Sequence, residues 1–312
     1  MAKVSICIPC YNNAEEVERL LYSIAEQTYR DYEVNISDDS TNNETETMIE
    51  KFAKEIEKLN YRHNQKPFGH IFNWNEAIKM ANGEYIKIMF SDDWFTDKNS
   101  LQEWVRLLDE NPKAMLAFSG SRQVMLDAEN SSSLEHVSAE NRKPSYDRCA
   151  DETFIQKLKE DYRNLFLGNQ IGAPSATIYR RGNELTLFDE KSNWASDMYL
   201  FFDLLIKSKE FAYTKAPLVS IGVHEHQYTE MFSERDMRVY NDYRYMYTKY
   251  NLQQSEACKQ YFLENFIIKY KTGIKEAKTL GITAKTYWKA WFHELRDSIR
   301  CYMSNHFRIN KN

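Results

Sequence analysis

Apolar runs and amphipathic helical patterns alternate along the first 126 residues of the chain. The segment KVSICIPCYN near the amino terminus is mainly apolar, as expected of a strand buried on both faces of a parallel sheet. From Ala14 to about Gln27, apolar residues recur with the spacing of one helix face, and YEVNISDDS at residues 32–40 predicts a second strand. This order of strand, helix and strand predicts a βαβ unit with a right-handed crossover.

The alternation continues beyond this unit and predicts further elements. One further strand is expected to end at Asn64, and two more are expected to cover residues 85–90 and 114–120. Helices are expected over residues 72–80 and 101–108. We therefore predict an α/β fold in which helices flank a mostly parallel, mixed sheet.

Two of the predicted strands end on adjacent carboxylates: Asp38 and Asp39 in one case, Asp92 and Asp93 in the other. Because ligands in open α/β sheets bind beyond the carboxyl ends of the strands, both pairs are expected at one edge. Paired like charges repel unless a cation or hydroxyl donors lie between them. Oxygen ligands suit Mg²⁺ or Mn²⁺, which bridge carboxylates to phosphates. The alternative for Asp92 and Asp93 is a solvated helix N-cap.

The chain contains neither the dinucleotide fingerprint nor the Walker pattern, the two glycine-rich loops that hold phosphates. A divalent metal is therefore the expected partner of any diphosphate bound here.

Three segments within about the first hundred residues together resemble family 2 glycosyltransferases with the GT-A fold. They are VSICIPCYNNAEEVERLLYSIAEQTYRDYEVNISDDST, NWNEAIKMANGEYI and SDDW. The resemblance implies a Rossmann-like GT-A fold, a nucleotide-sugar donor, a divalent metal (Mn²⁺ or Mg²⁺) and transfer to a hydroxyl group.

By position, the resemblance also assigns roles to residues near the acidic pairs. It implies nucleotide contacts from Pro9, Tyr11 and Asp39. In this assignment Asp39 accepts from the imide N–H of a uracil-type base, Asp92 lies near the ribose and Asp93 ligates the metal. Many family members have an aspartate two places before the second pair, where this chain has Phe90. The metal is then expected to rest on Asp93, the diphosphate and a residue from elsewhere.

The next part of the chain is expected to form the acceptor side. Residues 127–144 are polar and predict a long surface loop, and residues 167–181 return to a strand after a turn that contains glycine and proline. The resemblance implies an acceptor pocket lined by Gly172, Ala173, Pro174 and Ser175.

A helix is predicted from Ser196, which can cap it, and Asp197 falls in its first turn, where the helix dipole favours a carboxylate. The residues alone allow Asp197 to be only a helix-start acid, whereas the resemblance implies that it is the general base. Asp203 lies mid-helix among bulky apolar residues and is the weaker competitor.

The segment IGVHEHQYT at residues 221–229 has two histidines that would face the same side of an extended strand. The resemblance favours His224 over His226 as a metal or phosphate contact; the alternative is a surface histidine without a role. The spacing differs from H-E-x-x-H, so a zinc protease is not indicated.

Residues 233–312 are predicted to form helices rich in aromatic side chains. From Lys269 onward ten Lys and Arg residues stand against three Asp and Glu, a local charge of +7, so residues 1–268 carry −12 of the chain's total of −5. A basic, aromatic tail predicts peripheral contact with anionic lipid. The alternative is packing on the core or on a second subunit of a homo-oligomer. Nucleic-acid binding is not expected, because the body of the chain is acidic.

Composition agrees with an enzyme of the cytoplasm, with the membrane's inner face as a further location. The 312 residues are 42% hydrophobic and 28% charged, which suits one large α/β domain with an appendage. We expect no membrane span and no signal segment. Cys7 and Cys10 form a C-x-x-C pattern across a strand end, and two buried thiols in a reducing compartment are the favoured interpretation over a redox pair.

We therefore expect a GT-A domain over residues 1–232, with a nucleotide-sugar half at 1–126 and an acceptor half at 127–232, and a helical appendage at 233–312. The resemblance implies an inverting, metal-dependent, hexosyltransferase-like enzyme. It would move a sugar from a UDP-type donor to a saccharide or lipid-linked acceptor in cell-surface polysaccharide synthesis. Two alternatives remain open. One is a sugar-phosphate nucleotidyltransferase, although a glycine-rich basic loop would be usual near its amino terminus. The other is a non-catalytic nucleotide-binding protein of the same fold, suggested by Phe90.

Overall fold

A computed structural model of the protein describes residues 1–126, 145–223, 232–233 and 235–309, without the side chains of residues 297–299 and 301–309. The chain divides into two compact units, Met1–Ser192 with Ser196–Met231, and Asn193–Ala195 with Phe232–Asn312. The sequence-based division lay between residues 232 and 233, whereas the structure assigns Phe232 and Asn193–Ala195 to the second unit.

A nine-stranded sheet forms the centre of the described part of the first unit. Its strands are β1 (Val4–Cys10), β2 (Tyr32–Asp38), β3 (Leu59–His63), β4 (Tyr85–Ile88), β5 (Trp94–Phe95), β6 (Leu116–Met125), β7 (Tyr146–Arg148), β8 (Thr177–Arg180) and β9 (Phe211–Val223). The order is β3-β2-β1-β4-β8-β6-β9-β5, and β7 pairs with β6. Strands β3, β2, β1 and β4 are parallel, as are β6 and β9, whereas β8 is antiparallel to both neighbours. The predicted mostly parallel, mixed sheet is confirmed.

Helices accompany these strands, and the sequence predicts the first, third, fourth and sixth of them but not the second and fifth. In the first unit they are α1 (Ala14–Ala25), α2 (Glu44–Ile49), α3 (His70–Lys79), α4 (Ser100–Asp109), α5 (Glu152–Glu160) and α6 (Ser196–Lys207). Shorter 3-10 turns occupy Glu50–Phe52, Tyr162–Leu167 and Pro174–Ala176.

The core explains why the amino-terminal βαβ unit forms. Every residue of β1 is buried, and the apolar side of α1, which includes Leu20 and Ile24, packs into the same cluster as Val4 and Ile6 of the strand. Burying one such side chain contributes about 1.5–3 kcal/mol. Cys7 and Cys10 are buried free thiols whose pKa burial raises.

The strand register places the carboxyl ends of β2 and β4 on either side of β1. Cys10 pairs with Asp38 on β2, and Cys7 pairs with Ile88 on β4. Strand β4 ends at Ile88 rather than at residue 90, because the N–H of Phe90 turns away to the Ser175 hydroxyl (3.0 Å). The pairing of β5 with β9 was not predicted, since a two-residue strand leaves no periodic pattern. The predicted loop at 127–144 lies outside the described residues.

The second unit is helical and rich in aromatic contacts. Its helices are α7 (Met237–Lys249), α8 (Glu256–Phe262), α9 (Gly273–Thr279) and α10 (Ala284–Ile309), with a π-helical turn at Leu263–Ile268. Tyr243 stacks on Phe266 and Tyr247 on Phe262, with ring centroids 4.2 and 4.5 Å apart. Asp242 is buried and accepts backbone N–H bonds from Asn193–Ala195. In the described residues we find no helix with the length and apolar character of a membrane span.

Candidate active site

Both acidic pairs lie at one edge of the sheet, where parallel strands β1, β2 and β4 end. Asp39 directly follows β2, and Asp92 and Asp93 follow β4 after a short turn. The N–H of Asp39 donates to the carbonyl of Cys10, the last residue of β1 (3.0 Å), and the Met89 N–H donates to the carbonyl of Cys7 (3.0 Å). These bonds connect the ends of the three strands.

The two members of the first pair have different surroundings. Asp38 is fully buried and accepts from the Ser40 N–H and from the Tyr61 hydroxyl, both at 2.8 Å. Burial and this carboxylate together raise the pKa of the Tyr61 phenol. Asp38 therefore supports the strand end, which leaves Asp39 as the candidate for ligand contact.

Asp39 holds the chain before α3 in place. Its carboxylate accepts from the Asn64 side-chain amide (2.8 Å) and from the N–H groups of Phe68 (2.8 Å) and Gly69 (2.9 Å). Gly69 has φ of 91°, which favours glycine. An ionised carboxylate offers about four lone-pair sites, so these three donors leave capacity for one further N–H donor. Asp39 is only 2% exposed, and a ligand donor would therefore have to approach along the remaining opening.

Two exposed aromatic side chains accompany Asp39. Tyr11 follows the end of β1 and is 54% exposed, and Phe68, whose N–H binds Asp39, is 42% exposed. Pro9, in contrast, is buried within β1, one residue before the strand ends at Cys10. Sequence reasoning missed Phe68 and also Asn73, whose buried amide donates to the Cys10 carbonyl (3.0 Å). A polar residue on the buried face of a predicted helix is the feature that could have identified Asn73.

The second acidic pair is more enclosed than a strand-end pair is expected to be. Asp93 is 2% exposed, while Asp92 is partly exposed. Burial raises the pKa of the Asp93 carboxyl well above its usual range, and the charge of Asp92 raises it further. The Ser175 hydroxyl and the Gly222 N–H (3.3 Å) bind this carboxylate and oppose the shift. Phe90, at the position of the family's additional aspartate, packs on Trp74 with ring centroids 4.7 Å apart.

Two buried basic residues lie near this pair. The Arg19 guanidinium donates to the Asp92 carbonyl (3.0 Å) and stacks over the Trp94 ring at 4.5 Å. Lys87 is fully buried in β4, donates to the carbonyls of Ser175 and Thr177, and has its pKa lowered by burial to about 7. Neither residue was singled out from the sequence, although a lysine inside an apolar strand was a visible exception to the pattern.

The acidic pair fits a divalent cation of the Mg²⁺ or Mn²⁺ kind. Such ions are commonly held by one or two protein carboxylates, with substrate phosphates and water completing the shell. A cation would also relieve the repulsion between Asp92 and Asp93 that raises the pKa of Asp93. Over the described ranges, no three His, Cys, Asp or Glu side chains form a metal-binding group. His224, the further predicted contact, lies outside these ranges.

Asp197 occupies the first turn of α6 and is partly exposed. Its carboxylate accepts from the Asn169 side-chain amide and from the Met198 N–H, both at 2.7 Å. Burial raises the pKa of Asp197 to about 6, although both hydrogen bonds and the charge of Arg148 act in the opposite direction. A carboxylate with a pKa near neutrality is suited to accept a proton at working pH.

The predicted acceptor residues divide into two pairs. Gly172, with φ of 99°, and Ala173 are partly exposed, whereas Pro174 and Ser175 are buried. The Ser175 hydroxyl is engaged with Phe90 and Asp93. Direct contact with an acceptor is therefore expected only from Gly172 and Ala173, and Ser175 instead supports the loop that carries Asp93.

The chain matches a known family model and is similar to a curated protein. The family model Glycosyl transferase family 2 matches residues 5–185. A GalNAc(5)-diNAcBac-PP-undecaprenol beta-1,3-glucosyltransferase of Campylobacter jejuni is 29% identical over 97 residues, which are 30% of this chain and 30% of that protein. The chain thus spans less than two thirds of this curated relative.

Solved structures share the fold at low sequence identity. The structure of S. aureus TarS 1-349 in complex with UDP-GlcNAc superposes with a TM-score of 0.61 at 18% identity, covering 95% of this chain and 80% of that one. Mannosyltransferase PcManGT from Pyrobaculum calidifontis, in complex with GDP-Man and Mn²⁺, gives 0.51 at 15% identity, covering 89% and 78%. The fold is therefore that of the GT-A glycosyltransferases.

Proposed function

The chain belongs to glycosyl transferase family 2, and from this premise we propose that it is an inverting glycosyltransferase that uses a UDP-type sugar donor. The observation that carries the proposal is that the carboxylates differ in their position in the fold and in their surroundings. Asp39, Asp92 and Asp93 lie at the edge where β2 and β4 end, whereas Asp197 lies in the first turn of α6 and has a pKa raised to about 6. The first group suits a nucleotide diphosphate and a metal, and Asp197 suits proton transfer.

The donor side is assigned to the edge formed by β1, β2 and β4. The remaining lone pair of Asp39 matches the imide N–H of a uracil-type base, and Tyr11 offers an exposed ring for contact with the nucleotide. Asp92 lies near the ribose in this assignment. TarS was solved with UDP-GlcNAc and PcManGT with GDP-Man, so the fold accommodates both nucleotides, and the UDP-type donor is our proposal from Asp39. The identity of the sugar depends on the shape of the pocket.

Asp93, with Asp92 beside it, would hold Mn²⁺ or Mg²⁺ against the diphosphate, and His224 is the proposed further contact. When bound, such an ion neutralises the negative charge that develops on the leaving diphosphate. The protein's own contribution is to hold the Asp93 carboxylate in position through Ser175 and Gly222. PcManGT, solved with Mn²⁺, supports a divalent metal in this fold.

Asp197 is proposed to act on the acceptor side. Its carboxylate takes the proton of an acceptor hydroxyl while the hydroxyl oxygen bonds to the anomeric carbon. The bond from that carbon to the diphosphate oxygen breaks, its electron pair leaves with UDP, and the configuration inverts. General-base assistance typically contributes about 10²–10⁴-fold to the rate. Gly172 and Ala173 present backbone at the acceptor side, and a saccharide or lipid-linked acceptor is expected by analogy with the C. jejuni relative.

Helix α10 is proposed to bring the protein to a membrane surface. Trp288, Phe292 and Leu295 are 44%, 59% and 40% exposed and recur along one face of the helix. Lys285 and Lys289 are exposed on the same helix. An exposed apolar face with adjacent lysines fits the interface of an anionic bilayer. A cytoplasmic enzyme peripheral to the inner face would then meet lipid-linked acceptors there, and contact with a second subunit is the alternative.

A mass-spectrometric screen of UDP-, GDP- and dTDP-sugars tests the function directly. We expect slow release of free sugar from a UDP-sugar, because water can replace the acceptor, and we expect this release to require Mn²⁺ or Mg²⁺. Calorimetry with UDP alone serves as the binding control. Binding of UDP without any turnover would favour a non-catalytic nucleotide-binding protein, and binding of none of the nucleotides would overturn the proposal.

A further inference from the structure

We propose that Asn169 is a positioning residue, which fixes the carboxylate of Asp197 against the turn Asn169–Gly172. The proposal rests on the proposed function, in which Asp197 is the general base. Its basis is a side chain that joins the base and the turn in a single set of hydrogen bonds.

The orientation of the Asn169 amide is determined by four hydrogen bonds. Its nitrogen donates to Asp197 Oδ2 (2.7 Å) and to the Gly172 carbonyl (3.2 Å), and its oxygen accepts from the N–H groups of Ile171 (3.0 Å) and Gly172 (3.2 Å). A flipped amide would place oxygen against two acceptors and nitrogen against two donors. All the hydrogen-bonding capacity of the amide is therefore used in one orientation.

This arrangement leaves the Asp197 carboxylate both oriented and available. Asn169 binds Oδ2 and the Met198 N–H binds Oδ1 (2.7 Å), and the backbone N–H of Asp197 also binds the carboxylate, so about one of its roughly four lone-pair sites remains for an acceptor hydroxyl. Gly172, at the other end of the same amide, is partly exposed and belongs to the proposed acceptor segment. One side chain thus sets the distance between the base and the backbone beside which the acceptor would bind.

Arg148 completes the surroundings of this pair. Its guanidinium donates to the backbone carbonyl of Asn169 (3.2 Å), and its charge favours the ionised form of Asp197. The Asn169 hydrogen bond acts in the same direction, because a donor to a carboxylate stabilises its ionised form.

The pH dependence of kcat separates positioning from a purely structural role. In Asn169→Ala, loss of the donor should move the acid limb of the kcat profile upward by about one pH unit and lower kcat by roughly tenfold. The KM for the donor should remain within about twofold, since the nucleotide edge is untouched. Asn169→Asp keeps the shape but places a second carboxylate on Asp197, so its acid limb should move further.

Gln170→Ala is the matched control. Gln170 is the next residue of the same turn, but its amide binds Asp151 rather than Asp197 (2.9 and 3.0 Å). The acid limb of the kcat profile of Gln170→Ala should remain at the wild-type position. UDP binding should be retained in all variants and serves as the measure of folding. If Gln170→Ala shifts the limb as much as Asn169→Ala does, the turn as a whole is responsible and the positioning role is overturned.

Asp197→Asn, assayed alongside, distinguishes the two possible failures. If Asp197→Asn keeps wild-type transfer, the proposed general base is wrong. If Asp197→Asn loses transfer while Asn169→Ala and Asn169→Asp keep the wild-type acid limb and rate, only the role of Asn169 is overturned.

Discussion

Gly222 lies so close to the backbone of Asp92 that a Cβ atom at Gly222 would stand 2.6 Å from the Asp92 carbonyl oxygen. The Gly222 N–H also donates to the Asp93 carboxylate (3.3 Å). Strand β9 therefore holds the loop that carries the second acidic pair, by an approach that any side chain would prevent.

Gly222→Ala should displace this loop. Overpacking against backbone typically costs about 1–3 kcal/mol, so the melting temperature should fall, and kcat/KM should drop at least about tenfold as Asp93 moves. Gly168→Ala is the matched control, because a Cβ there meets open space and its φ of 160° is ordinary extended backbone. Differential scanning fluorimetry and a transfer assay measure the two effects. If both variants change the melting temperature and kcat/KM to the same extent, the Gly222 contact has no special role.

Asp197→Asn should reduce transfer at least about a hundredfold, while UDP affinity stays within about threefold, because the base acts on the acceptor side. A product assay beside calorimetry of UDP binding separates these effects. Asp203→Asn, on the same helix, is the control and should keep most activity. Loss of transfer in Asp203→Asn but not in Asp197→Asn would move the base to Asp203.

The transfer rate should fall as the pH drops below about 6, because Asp197, whose pKa is raised to about 6, becomes protonated there. The same shift affects stability. Since the folded pKa lies above that of the unfolded chain, proton binding to Asp197 stabilises the folded state at low pH, and this stabilisation is lost as the pH rises through about 6. Asp197→Asn should therefore raise the melting temperature relative to wild type more at pH 8 than at pH 4. A melting-temperature difference between Asp197→Asn and wild type that does not change with pH would contradict the raised pKa of Asp197.

Asp93→Asn should lower turnover by about tenfold to a hundredfold, the usual effect of weakening a metal site, and titration with Mn²⁺ should show weaker activation. The melting temperature without metal should not fall, because the substitution keeps the shape and removes a carboxyl whose ionisation burial opposes. Asp31→Asn, at an exposed position before β2, is the control. Wild-type turnover that persists undiminished in excess EDTA would exclude the metal role.

Binding to anionic liposomes should depend on the exposed face of α10. Trp288→Ser combined with Phe292→Ser should weaken cosedimentation at least about tenfold, since each ring loses apolar burial in the lipid. Lys285→Gln should weaken it by up to about fivefold at low salt and less at high salt, because the attraction of each basic residue is worth about 1 kcal/mol and is screened. Tyr22→Ser, an exposed aromatic position on α1, is the control.

If α10 is instead a packing face, the intact protein should associate with itself. Size-exclusion chromatography of the Trp288→Ser and Phe292→Ser double variant tests this alternative. A shift from dimer to monomer, together with no liposome binding by wild type at low salt, would assign the face to a second subunit.

The sequence by itself determined the amino-terminal βαβ unit and the edge where both acidic pairs lie. Strand β1 follows from a mainly apolar run, strand β2 from alternating apolar and polar residues, and helix α1 from apolar residues spaced for one helix face, all of which is local information. Parallel strands joined by helices then bring their carboxyl ends to one edge, so Asp39 and Asp93 come to the same edge without any knowledge of tertiary contacts.

Only the tertiary structure decided how each carboxylate behaves. Asp38 binds Tyr61 while Asp39 holds the chain before α3, although the two are neighbours with the same side chain. The burial that raises the pKa of Asp197, and the approach of Gly222 to Asp92, arise between segments far apart in the chain. Such contacts leave no periodic pattern in the sequence, because desolvation and close packing depend on what the folded chain places around a group rather than on its neighbours along the chain.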